Sequence, residues 1–373
     1  MKVLFYQPWM KSKGGIERLV LEYAERSDHD VTVVTHYLEE GFEDYSAEII
    51  SLTDKKVPEG FLKRGLFSAP RIMKEKLDLD EYDVLLVSEA GLGSFITFRN
   101  HSIPVICYCH TPLRAAHQFY SFYKDRYGFF GKKLFTVAAS IYRFFEKRAW
   151  KHFDHVVANS GNTSSNILEA GLKSEKNISV VHPGADTSNF AKEEDEKYFF
   201  YPSRYKQYKR HLLAIEAFNK FNKKIGGYKL VLAGFPDDEE YLSEVKKAAG
   251  ENVEVLSNVS DSKLRDLYSG CTGVLFTAKN EDWGIVPVEA MASGKPVVAV
   301  DEGGPTESVV EGETGFLVPD NSDGIAEKMV ELISDSERYE EMCLNCLERA
   351  EKFSWNAFVE KLDSELEKKV KEG

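Results

Sequence analysis

Short apolar runs rich in β-branched and aromatic residues alternate with helical-period stretches along most of the chain, and this alternation limits the fold more than any other feature. A first series of runs lies at 2–7, 31–35, 47–52, 83–88, 104–109, 155–159 and 178–182, with helical stretches such as 15–26 and 161–171 between them. A second series lies at 198–202, 229–234, 252–257, 273–277, 296–300 and 315–318, separated by helices near 209–225, 238–249, 261–269, 285–293 and 322–334. Strand–helix–strand alternation predicts parallel sheets with helices on both faces. The runs are continuously apolar, as strands covered on both sides are. The polar stretch 184–197 separates the series and reads as a linker between two doubly wound, Rossmann-like α/β domains, 1–185 and 186–353. A length of 373 residues is enough for two cores. Apolar residues at 355, 358, 362 and 366 mark a closing amphipathic helix over 354–373.

Charge narrows the function. The chain carries 48 Lys and Arg against 61 Asp and Glu, a net charge of −13, which disfavours a chain-wide nucleic-acid binder. No apolar run approaches the roughly 18–20 residues of a membrane span, and Met1–Pro8 reads as a first strand rather than a signal peptide. Five cysteines, an odd and sparse set, argue against a disulfide framework. Cys343-x-x-Cys346 has no second Cys/His pair, so both read as idle thiols of a cytoplasmic protein.

Open α/β sheets bind ligands at the C-terminal ends of their strands, so chemistry is expected in the loops that follow them. Gly14-Gly15 follows the first strand and opens a helix; it fits an ordinary turn or a loop where backbone amides approach a phosphate. Ser203–Arg210 follows the first strand of the second series. Its Arg204 and Lys209 suit a pyrophosphate, or else are a solvated basic helix start. Asn280-Glu281-Asp282-Trp283-Gly284-Ile285-Val286-Pro287-Val288-Glu289 follows the strand 273–277. Pro287 fits a first helical turn, placing Glu281 in the loop and Glu289 about one turn into the helix. Carboxylates there can accept from vicinal hydroxyls, and the amides of 284–286 can meet a phosphate. Asp301-Glu302-Gly303-Gly304-Pro305 is another Gly-rich strand-to-helix turn.

Together these residues resemble the retaining glycosyltransferases of family 4, which have the GT-B fold of two Rossmann-like domains facing a cleft. Glu281 and Glu289 stand in the hallmark Glu-x-(Phe/Trp)-Gly-x4-Glu, with Trp283 at its aromatic position, and Ala290–Val298 matches the usual continuation. Ser203-Arg204 to Lys209 resembles the basic pair, with Ser203 and Tyr205 departing from the common Gly and Leu. His182-Pro183-Gly184-Ala185-Asp186 resembles the inter-domain segment, and Gly14-Gly15 with Glu17 the phosphate loop. The resemblance implies an acceptor-binding first domain, with helix 354–373 packing back on it, and a donor-binding second domain. It implies that Glu289 binds ribose and Glu281 the transferred sugar, while Arg204 and Lys209 hold the diphosphate. Val259 contacts the base through its backbone, Trp283, Gly284, Ile285 and Val286 lie at the donor, and His110 meets the donor sugar. No cofactor is implied.

Metal use is not expected: Asp28-His29-Asp30 and Asp78-Leu79-Asp80 both precede strands and read as turn acids. Tyr108–Arg114 resembles the His-Thr-Pro-(Met/Leu)-Arg stretch of mannosyltransferases that build glycans on lipid carriers, although Ala115-Ala116-His117 replaces the usual aromatic-Asp continuation. GDP-mannose is therefore the leading donor, with UDP-sugars second. Residues 114–151 carry nine cations and two anions, a local +7 against −20 elsewhere, interleaved with twelve aromatics. That composition fits docking to an anionic inner membrane face bearing a lipid-linked acceptor; the alternative is a helical insertion whose aromatics pack internally. The rival functions are a sugar-nucleotide epimerase on the same double plan and a non-catalytic nucleotide-sugar-binding subunit.

Overall fold

The computed structural model describes residues 1–11, 14–42, 44–53, 63–190, 192–193 and 195–372. Of the stretch read as a linker, Ala191 and Glu194 lie outside the described residues, as does Gly373 of the closing helix. The first series of apolar runs forms β1 (Lys2–Gln7), β2 (Asp30–Thr35), β3 (Glu48–Ser51), β4 (Val84–Glu89), β5 (Val105–Cys109), β6 (His155–Ala158) and β7 (Ile178–Val180). These pair in the order β3-β2-β1-β4-β5-β6-β7, each pair parallel. The second series forms β8 (Tyr198–Pro202), β9 (Lys229–Gly234), β10 (Val253–Ser257), β11 (Gly273–Phe276), β12 (Val297–Val300) and β13 (Gly315–Val318), in the order β10-β9-β8-β11-β12-β13, again parallel.

The intervening helices are α1 (Gly15–Arg26), α2 (Tyr120–Asp125), α3 (Phe129–Ala149) and α4 (Gly161–Glu169) in the first half. In the second half they are α5 (His211–Lys224), α6 (Glu239–Ala248), α7 (Asp261–Ser269), α8 (Ile285–Ala292), α9 (Ser322–Leu332), α10 (Ser336–Glu351) and α11 (Trp355–Glu372). β8 shows why the runs are continuous. Its side chains alternate between faces, and Phe199 meets Phe221 of α5 at 5.1 Å while Phe200 meets Tyr268 of α7 at 5.1 Å. Both faces are covered by helices, and each ring so buried contributes about 1.5–3 kcal/mol.

Contacts divide the chain into two compact units: Met1–Gly184 with Phe358–Gly373, and Ala185–Ala357. In the first unit α11 lays Phe358 against Tyr108 (5.7 Å) and Tyr23 (6.3 Å), and Asp363 accepts from Tyr23 Oη at 2.6 Å and Ser27 Oγ at 2.8 Å. In the second unit part of the polar 184–197 stretch is anchored, because the buried Lys295 donates to Glu193 O at 3.1 Å and pairs with Asp195. Asp78 and Asp80 are exposed turn residues before β4, and Asp30 begins β2. All five cysteines are buried thiols.

Each sheet reverses its order of winding once, between β1 and β4 and between β8 and β11. Loops leaving adjacent strands part at such a switch point and leave room for a ligand.

Candidate functional site

The second unit gathers most of the expected residues at its switch point. After β8 the chain is pinned to the neighbouring loop: Ser203 N donates to Ala233 O at 2.8 Å and Tyr205 N to Phe235 O at 2.9 Å. A side chain at Gly234 would come within 1.8 Å of Ser203 O, so this approach requires glycine. Tyr205 is a core anchor whose hydroxyl donates to Leu256 O at 2.7 Å. A 3-10 turn, Gln207–Lys209, follows, and the Lys209 carbonyl accepts from Tyr201 Oη and from Thr277 Oγ1 (3.2 Å). These bonds aim the buried Lys209 side chain at Glu281, with which it forms an ion pair.

Arg204 takes another course. Its side chain is 59% exposed and its Nη1 lies 3.2 Å from Asp237 Oδ2, where Lys206 Nζ also arrives at 3.0 Å. Lys209 and Arg204 are therefore held by different carboxylates.

The loop after β11 carries Glu281. Its Trp283 indole is buried against Phe353, with centroids 5.0 Å apart, so this side chain anchors the loop. Gly284, at φ 83°, turns the chain into α8, where Ile285 and Val286 open the helix and point its first amides outward. Glu289 lies on α8, and its Oε2 accepts from Tyr268 Oη at 2.6 Å. Burial and the Glu289 charge push the Tyr268 hydroxyl pKa up, which keeps it a donor. The Gly303-Gly304 turn lies against the back of the Glu281 loop. Gly304 N donates to Glu281 O at 2.8 Å, and a side chain at Gly304 would fall 2.0 Å from Trp283 O. Val259 sits half-buried between β10 and α7, after Asn258 at φ 55°.

The first unit holds the remaining residues. Gly14 caps α1, and a side chain at Gly15 would meet nothing within 4 Å among the described residues. His110 follows β5 and is buried, its Nε2 2.9 Å from Ser88 Oγ at the end of β4. Burial lowers its pKa to about 3, so the ring is neutral at pH 7. The loop after His110 is held by α3, whose Arg143 Nε donates to Ala116 O at 2.6 Å and whose Glu146 accepts from His117 Nε2 at 2.7 Å.

α3 has two different faces. Phe135, Ala139, Tyr142, Glu146 and Ala149 are buried, whereas Phe130, Leu134, Val137, Ile141 and Phe144 are 53–83% exposed. Both sets repeat every three or four residues and are offset by about 140° around the helix. Cations flank the exposed stripe: Lys133 Nζ lies 4.6 Å from the Phe129 ring centre and the Arg148 guanidinium 3.4 Å from that of Phe144. Other aromatics do pack internally, with Tyr120 and Tyr127 each 5.6 Å from Phe135.

Sequence reasoning passed over Ser88, Asp237 and Arg210. Asp237 follows β9 just ahead of α6, a position that strand-end inspection could have flagged. Ser88 and Arg210 acquire meaning only from partners distant in sequence.

Two family models match the chain. One, described as Glycosyltransferase Family 4, matches residues 13–189; the other, Glycosyl transferases group 1, matches 185–353. Between them they span nearly all of both units. The chain belongs to the family 4 glycosyltransferases. The Dictyostelium discoideum protein named alpha-1,3/1,6-mannosyltransferase ALG2 is 29% identical over 77% of this chain and 76% of its own length. The Mus musculus protein of the same name is 32% identical over 56% of this chain and 57% of its own. The crystal structure of Anabaena Alr3699/HepE in complex with UDP and glucose superposes with a TM-score of 0.72, at 19% identity, over 99% of this chain and 100% of that one. This glycosyltransferase thus has the GT-B plan of two parallel-sheet, Rossmann-like domains. Among the described residues no helix is long and apolar enough to cross a membrane.

Proposed function

We propose that this glycosyltransferase moves mannose from GDP-mannose to a glycan or lipid-linked acceptor, with retention and without a metal ion. The Lys209–Glu281 pair carries the reading: it holds a cation and a sugar-facing carboxylate together at the switch point of the second unit. The mannosyl assignment draws on the two named relatives. The unit Ala185–Ala357 binds the donor and the unit containing Met1–Gly184 binds the acceptor. Glu289 takes the ribose hydroxyls, Val259 meets the base through its main chain, and the amides at Gly284, Ile285 and Val286 meet the diphosphate. Glu281 receives the hydroxyls of the sugar. As the glycosidic bond breaks, negative charge grows on the diphosphate, and Lys209 and Arg204 stabilise it. In the first unit, Gly14 and Gly15 offer main-chain amides to a phosphate, and neutral His110 donates or accepts a hydrogen bond at a sugar. Attack comes from the face the leaving group departs, with the diphosphate helping to take the acceptor proton.

The deciding experiment incubates the purified protein with GDP-mannose or UDP-hexoses and a lipid-linked acceptor, then analyses the product. Mannosylated acceptor in the presence of EDTA is expected. Activity lost to EDTA and restored by Mg²⁺ would refute metal independence, and transfer from a UDP-hexose alone would move the donor to the second reading. Conversion of the donor sugar with no acceptor present would favour an epimerase.

The two glutamates should separate. Glu289→Gln should weaken GDP binding, since its partner is ribose; isothermal titration reads this directly. Glu281→Gln should lower transfer more than it weakens GDP, since its partners are the sugar and Lys209. Equal loss of GDP affinity in both variants would overturn the division.

The exposed stripe of α3, flanked by cations, docks on anionic lipid and brings the acceptor-binding unit to a lipid-linked substrate.

A further inference from the structure

One arginine next to the proposed donor clamp has no role in the reading above. Arg210 is nearly buried, and its guanidinium reaches two carboxylates at once: Nη2 lies 2.9 Å from Glu302 Oε2 and Nη1 2.5 Å from Asp320 Oδ1. Glu302 belongs to the loop after β12 and Asp320 to the loop after β13, whereas Arg210 ends the loop after β8. In the sheet β11 lies between β8 and β12, so these ion pairs join the loops on either side of the one that carries Glu281.

That enclosed loop is tied to the same frame at three points. Thr277 Oγ1 donates to Arg210 O at 3.0 Å, Gly304 N donates to Glu281 O at 2.8 Å, and Glu281 pairs with Lys209. The contacts close a circuit: Arg210 to Glu302, along the chain to Gly304, to Glu281, to Lys209, and by one peptide bond back to Arg210. The backbone at Arg210 is left-handed, at φ 55° and ψ 43°, a conformation that disfavours any residue carrying a Cβ. The turn lets two consecutive cations reach different loops. Arginine suits the place because its delocalised guanidinium can hydrogen-bond Glu302 through Nη2 and lie at ion-pair distance from Asp320 through Nη1, which the single ammonium of lysine does less well.

We propose that Arg210 is a positioning residue for glycosyl transfer, acting by bracing the loops after β8, β11 and β12 so that Lys209 and Glu281 keep their relative placement. The proposal rests on the donor-clamp reading. Small misplacement of a reacting group costs rate more than it costs binding. Arg210→Ala should therefore lower kcat about 10-fold or more, with the KM for GDP-mannose and the affinity for GDP within about 3-fold of wild type. Arg210→Lys should lie between. The Glu302→Gln/Asp320→Asn double variant should reproduce the loss, and adding Arg210→Ala to it should cost little more, because the three groups act as one unit.

Steady-state kinetics, GDP titration and thermal melting of these variants beside Lys209→Ala test this. If Arg210→Ala fails to fold, the double carboxylate variant still decides the matter. Wild-type kcat in the Arg210 and double variants, with Lys209→Ala impaired, overturns the bracing role and leaves the clamp standing. A parallel rise in KM and loss of GDP affinity in Arg210→Ala, without a change in the double variant, makes Arg210 a donor contact instead and also overturns it. Full activity in Lys209→Ala as well removes the clamp and the brace together. Additive losses when Arg210→Ala is combined with the double variant overturn the circuit.

Discussion

Lys209→Ala is expected to lower kcat/KM for sugar transfer by 10²–10³-fold, equivalent to about 2.7–4 kcal/mol of lost transition-state stabilisation. Two effects add. The cation that meets the growing diphosphate charge is gone, and Glu281 loses the mostly buried ion pair through which Lys209 holds it. The second effect also costs stability, on the order of 1–3 kcal/mol for a lost hydrogen bond to a charged group, so melting must be followed alongside rate. Arg204→Ala is the comparison. It is expected to lower kcat/KM by roughly 10²-fold through the same lost charge, yet its side chain is exposed and its pairing with Asp237 is worth at most about 1 kcal/mol. It should therefore melt as wild type does. Kinetics with GDP-mannose and a melting curve for each variant separate the two cases, and undiminished turnover by Lys209→Ala would take this residue out of the mechanism.

Phe130→Ser, Leu134→Ser and Ile141→Ser together are expected to reduce binding to anionic vesicles about 10²-fold. Burying a large apolar side chain fully contributes about 1.5–3 kcal/mol, and three that are more than half exposed have most of that still to gain. This loss should persist at high salt. Reversing Lys124, Lys132 and Lys133 to Glu should act differently, because each cation near the surface contributes about 1 kcal/mol and is screened over roughly 10 Å at 0.1 M salt. Lys132 is already engaged with Asp125 at 2.8 Å, so its share is the smallest. Cosedimentation with anionic and neutral vesicles across a salt series reads both terms, while GDP-dependent thermal stabilisation should be unchanged in either variant. A serine variant that sediments like wild type would dismiss α3 as the docking face.

The fold was readable because burial on both faces imposes a local signature. The run 198–202 is β8 residue for residue, and 273–277 differs from β11 only at its last position. The site was readable only in part. Loop position marked Lys209 and Glu281 as candidates, but nothing in the sequence said that they pair, or that Arg204 turns instead to Asp237. Arg210 stands beside Lys209 in a basic run and looks like one more solvated cation. Its partners lie 92 and 110 residues away, and its left-handed backbone has no sequence marker of the kind glycine provides. In residues 114–151 composition counted charges and aromatics correctly. It could not assign Phe130 to solvent and Phe135 to the core, because both faces of α3 repeat with the same period and differ only in which one the rest of the unit covers.

The chain enters its second unit at Ala185 and returns to the first at Phe358. On the ribosome this sets an order of events. The second unit is synthesised as one uninterrupted segment and can fold as it emerges, whereas the first unit waits for about 170 further residues after its last strand. At 5–20 residues per second that delay is roughly 10–35 s. During it the surfaces of Tyr23 and Tyr108 that Phe358 later covers remain open, along with the Tyr23 and Ser27 hydroxyls that later donate to Asp363. The half of the enzyme made first is thus completed after the second, and a nascent chain halted at Ala357 carries a finished second unit attached to an unsealed first one.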